Sequence, residues 1–134
     1  MLLPSRRLAV VGIMAFVVAA VPALNAQHGR WERLGSSRVD GRVDHDNINV
    51  GIQDGRFRAI QLRVRRGDVE FLRVVVHYAD GEPEEVVVRQ RIPSGGSTRP
   101  IDLRGNKRYI RSVELWYARA EWRTRPEVVL LGRR

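Results

Sequence analysis

From Arg30 to Arg134 no stretch keeps an apolar residue every 3.6 positions for three turns, whereas short β-branched runs recur and end at turn-forming residues. This pattern predicts an all-β domain. The predicted strands run from Trp31 to Leu34, Ser37 to Val39, Asn47 to Val50, Arg56 to Arg65, Val69 to Tyr78, Glu84 to Arg91, Arg99 to Leu103, Ile110 to Tyr117 and Glu127 to Leu131. Between them fall Asp54-Gly55, Arg66-Gly67, Asp80-Gly81, Ser94-Gly95-Gly96 and Gly105-Asn106, each with a glycine or asparagine that tolerates the positive φ of a tight turn. About nine short strands, with turns roughly every eight to twelve residues, predict a two-sheet antiparallel β-sandwich or jelly roll. A small closed β-barrel is the alternative.

The most detailed local expectation is a hairpin at Arg66-Gly67. A two-residue loop there sets Arg65 opposite Asp68 and Arg63 opposite Glu70 on one face, with Val64 opposite Val69 and Leu62 opposite Phe71 on the other. Further along, Leu72, Val74 and Val76 switch to the face that carried the charges. Either the strand is covered on both faces or a bulge re-aims it. A similar turn at Asp80-Gly81 sets His77 opposite Glu84 as a cross-strand polar pair.

Ahead of the domain, Arg6 and Arg7 precede an apolar run from Leu8 to Val21. These fourteen residues fit the core of a secretory signal and fall short of the roughly 20 that a membrane-crossing helix needs. Pro22 and the small residues Ala23 and Ala26 follow, so residues 1–26 are expected to be a signal peptide, with cleavage after Ala23 or Ala26. Residues 27–134 then form a single domain, periplasmic or secreted and without a transmembrane segment in its mature form; an uncleaved N-terminal anchor is the competing reading.

The chain has 24 Lys plus Arg against 15 Asp plus Glu, a formal net charge of +9 that falls to +7 without Arg6 and Arg7. This favours salt-sensitive attraction to polyanions, although nearly all the basic residues are arginines and nucleotide composition alone could produce that bias. The absence of cysteine excludes disulfides, zinc-thiolate sites and thiol catalysis.

Three groups of residues are candidates for chemistry. The loop from Asp40 to Asn47 brings Asp40, Asp44 and Asp46 close to His45, an oxygen-rich set suited to calcium, although Ile48 breaks the EF-hand spacing and such residues also stabilise turns locally. Arg104, Lys107, Arg108 and Arg111 form a basic cluster in a turn and the strand after it. A second basic segment holds Arg119, Arg123 and Arg125 around Trp122, the tryptophan expected to be exposed, whereas Trp31 and Trp116 are expected to pack in the core or its rim. No nucleophile elbow, phosphate loop or zinc-protease motif occurs, so no catalytic residue is assigned and an enzyme is not expected.

The order of motifs is itself informative. Trp31-Glu32-Arg33-Leu34-Gly35 is followed by Val43-Asp44-His45-Asp46-Asn47-Ile48-Asn49-Val50-Gly51, Phe57-Arg58-Ala59-Ile60-Gln61-Leu62-Arg63-Val64 and His77-Tyr78-Ala79-Asp80-Gly81. Ile101-Asp102-Leu103-Arg104-Gly105, Arg108-Tyr109-Ile110-Arg111-Ser112-Val113 and Val128-Val129-Leu130-Leu131-Gly132 complete the series. The chain resembles the YaaI-like family of small exported bacterial proteins of unknown function. The resemblance implies a periplasmic or secreted β domain and adds no catalytic residue.

Location and charge together give the leading expectation, a noncatalytic domain that binds an anionic envelope glycan or lipid headgroup through Arg104, Lys107, Arg108 and Arg111, helped by Arg123 and Trp122. Nucleic acid is not an expected partner and no cofactor is required. The alternatives are a calcium-stabilised module or hydrolase built on Asp40, Asp44, Asp46 and His45, and an interaction protein that pairs through a sheet edge.

Overall fold

The computed structural model describes residues 29–39, 45–118 and 125–134. Among them are ten strands: β1 Trp31–Arg38, β2 His45–Asn49, β3 Arg56–Phe57, β4 Ala59–Arg65, β5 Val69–Tyr78, β6 Glu84–Val86, β7 Gln90–Ile92, β8 Ile101–Asp102, β9 Arg108–Tyr117 and β10 Glu127–Arg133. A single 3-10 turn, Ile52–Asp54, is the only helical element among the described residues. The predicted signal segment, residues 1–26, lies outside them.

The strands form two antiparallel sheets. The first has the order β1-β10-β4-β8; the second has the order β2-β9-β5-β6, with β7 also pairing β5 and β3 also pairing β9. The sheets remain separate, so the fold is the expected β-sandwich and not the closed barrel. Leu62, Val64, Val128 and Leu130 face inward from the first sheet; Val69, Phe71, Val74, Val76, Val113 and Leu115 meet them from the second, all fully buried. Each such side chain stabilises the fold by roughly 1.5–3 kcal/mol relative to exposure.

The turn at Arg66-Gly67 corrects the expected hairpin. Arg66 and Gly67 do take positive φ, 65° and 152°, but β4 pairs with β10 and β5 pairs with β9, so the turn carries the chain from one sheet to the other. Val64 and Val69 both point into the core, one from each sheet, instead of pairing along one sheet. Arg65 pairs with Glu127 at 3.8 Å and Asp68 with Arg91 at 3.2 Å, replacing the expected Arg65–Asp68 pair. Alternation of period 2 is the same in a hairpin and in such an arch, and in both cases it turns the apolar set toward the core.

The expected disturbance in β5 is a bulge. Phe71 pairs with Tyr117 and Arg73 with Trp116, which leaves Leu72 unpaired and 47% exposed while Val74 and Val76 return to the core. Two predicted strands, Trp31 to Leu34 and Ser37 to Val39, are one strand with a register shift between Arg33 and Gly35. A Cβ at Gly35 would lie 2.7 Å from Ile48 Cγ2, so glycine lets β1 approach β2 closely there. Conversely, the predicted run from Arg56 to Arg65 changes sheets at Arg58: β3 pairs with β9 and β4 with β10.

Candidate binding site on the outer face of the second sheet

Three strands position the site. On β2, Ile48 points into the core, so His45, Asn47 and Asn49 face outward by alternation. On β9, Val113, Leu115 and Tyr117 are buried, which turns Ser112, Glu114 and Trp116 outward. Register then aligns His45 with Trp116, Asn47 with Glu114 and Asn49 with Ser112 on one side, and Arg73, Val75 and His77 with Trp116, Glu114 and Ser112 on the other.

Glu114 sits between the two histidines. Its Oε2 lies 2.7 Å from His45 Nε2, and its Oε1 bonds His77 Nε2. The hydrogen bond from His45 holds the Glu114 carboxyl below the usual carboxylate range; burial opposes this and the bond from His77 reinforces it. An ionised carboxylate only accepts, so both imidazoles carry their proton on Nε2 when neutral and leave Nδ1 as an acceptor. With side-chain exposures of 41% for His45, 26% for Glu114 and 31% for His77, the group remains open to water.

Around it lies a shallow depression of about 370 Å³ lined by His45, Asn47, His77, Arg111, Ser112 and Glu114. Arg111 is brought there by a second bulge: His77 pairs with Ser112 and Tyr78 with Ile110, so Arg111 is the extra residue on β9. At the other end Trp116 is flanked by the His45 ring at 4.6 Å between centroids and by the Arg73 guanidinium at 4.6 Å. Arg73 is fixed in turn by Glu85 at 2.8 Å. With neighbours from both adjoining strands, Trp116 buttresses the histidine and does not offer a free stacking face.

The basic cluster divides. Arg111 joins the depression, while Arg104 and Lys107 are exposed in the turn before β9. Arg108 instead lies over the Tyr78 ring at 3.8 Å, donates to the carbonyls of Arg104 and Asp80, and is 16% exposed, so it joins two turns. Beneath it, burial and the hydrogen bond to Glu84 push the Tyr78 phenol well above its ordinary range. The expected His77–Glu84 pair does not form: Val76 is opposite Glu84, and His77 turns to Glu114.

Among the calcium candidates, Asp46 accepts from Ser37 Oγ and from the Asn47 backbone N–H at 2.8 Å. Asp40 and Asp44, like Trp122 and Arg123, lie outside the described residues. Among the described residues, no three or more His, Asp or Glu side chains have an arrangement that could hold a metal ion. Sequence reasoning missed Glu114 altogether; the signal was its alternation with Val113 and Leu115, but its partners lie 69 and 37 residues away.

The family model described as Domain of unknown function (DUF2541) matches residues 10–132. The chain belongs to this family. The DUF2541 sandwich is also similar to a solved structure from a structural and functional characterization of Pseudomonas aeruginosa AlgX, with a TM-score of 0.55 and 15% identity over 77% of this chain. The DUF2541 chain spans only 26% of that AlgX chain, and the likeness is one of fold. No curated protein matches the DUF2541 chain in sequence.

Proposed function

We propose that this DUF2541 member is an exported, noncatalytic domain of the YaaI-like kind that binds an anionic cell-envelope component on the outer face of β2, β9 and β5. The observation that carries this reading is the position of Arg111. A bulge places Arg111 in the lining of a solvent-open depression beside two histidines. Arg104 and Lys107 lie in the turn before the same strand and add exposed positive charge on the approach. Export, to the periplasm or outside the cell, is supported by the short apolar run from Leu8 to Val21 behind Arg6 and Arg7.

Retention on heparin or lipopolysaccharide matrices tests the reading. Binding is expected to disappear by about 0.3 M salt and to weaken in R111Q and further in R111Q/K107Q. Flow-through at every salt concentration overturns it. Turnover of the bound ligand by the purified protein overturns the noncatalytic part.

A further inference from the structure

We infer that the ligand of this depression is an acidic saccharide, a sugar carrying several hydroxyls and one carboxylate or sulfate, and not a phosphate headgroup. The inference rests on the binding reading above and follows from the hydrogen-bonding sense of each lining group. Arg111 can only donate, so it requires an acceptor and favours an anionic one. Glu114 can only accept: two lone-pair sites are taken by His45 and His77, and the remainder need donors. Each imidazole, donating through Nε2, presents Nδ1 as a further acceptor, and among the described residues neither Nδ1 has a hydrogen-bond partner.

Asn47 is held by its bond to Asn49 Oδ1 at 2.9 Å, which leaves its own carbonyl oxygen and one N–H. The depression therefore asks for one anionic acceptor at Arg111 and several O–H donors beside it. A phosphate group itself brings no such set of hydroxyls, and a phosphatidylglycerol headgroup adds only those of a short flexible glycerol. A uronate or sulfated sugar supplies both halves from one ring. Because His45 and Arg73 flank Trp116, recognition runs through hydrogen bonds and not through stacking on the indole.

Isothermal titration of the folded domain with an oligogalacturonate, a neutral oligosaccharide, inorganic phosphate and phosphatidylglycerol vesicles tests this. Oligogalacturonate is expected to bind, with the other three weaker by at least about tenfold. R111Q and N47A, both at exposed positions, and E114Q should each weaken oligogalacturonate binding while the fold is retained by circular dichroism. Equal binding of phosphate or vesicles, or oligogalacturonate affinity unchanged or raised in N47A and E114Q, overturns the inference while anion binding survives. Absence of binding to every anion overturns it together with the reading on which it rests.

Discussion

His45 on β2 donates its Nε2–H to Glu114 on β9 at 2.7 Å, although the two residues are 69 apart in the chain. The bond ties an edge strand to a central one on the solvent side of the sheet, beside the Trp116 ring. Its strength depends on the charge of Glu114, which the two imidazoles keep ionised.

Replacing that carboxylate tests the coupling. E114Q keeps the volume but its amide cannot accept from both imidazoles, so a loss of roughly 0.5–1.5 kcal/mol is expected, at the lower end because the group is partly solvated. Urea unfolding measures it, and nitrogen shifts of His45 and His77 should lose their single-tautomer signature. Unchanged histidine shifts would show that Glu114 does not orient the rings.

Acid titration gives a second readout. The Glu114 carboxyl is depressed in the folded state, so the unfolded chain binds protons more readily there. Its stabilising contribution is complete above the ordinary glutamate value of about 4.3 and is lost as pH falls through the depressed folded value. The melting temperature of the wild type should therefore fall more steeply than that of E114Q below about pH 4.5, and the two curves should converge in acid. Parallel curves would contradict the assignment.

Arg108 is expected to behave as a structural residue. Its guanidinium covers Tyr78 at 3.8 Å and donates to two turn carbonyls, a geometry that an ammonium does not reproduce. R108K should cost roughly 1–3 kcal/mol in unfolding measurements. Retention on an anionic matrix should survive in the folded fraction, in contrast to R111Q.

Gly132 on β10 has no room for a side chain. A Cβ there would lie 2.7 Å from Leu34 Cδ1 and 2.8 Å from Phe57 Cδ1, and the Phe57 ring is fully buried. G132A should destabilise the domain by about 1–3 kcal/mol through overpacking. A thermal melt reports it, and an unchanged midpoint would mean that the surrounding side chains yield more than a packed core normally allows.

Much of the secondary structure was readable from local pattern. Val69 to Tyr78 is β5 at both limits, the predicted turn residues separate strands, and the change of face after Phe71 is the Leu72 bulge. These features depend on neighbours within a few residues: alternation sets which side chains share a face, and glycine or asparagine sets where the chain can turn. Tertiary structure alone decided that Arg66-Gly67 joins two sheets, that Arg108 supports a turn, and that His77 meets Glu114 and not Glu84. The physical reason is that alternation identifies a strand's apolar face but not the strand beside it; that choice is made when distant apolar faces close on one core, and only then do His45, Glu114, His77 and Arg111 come together.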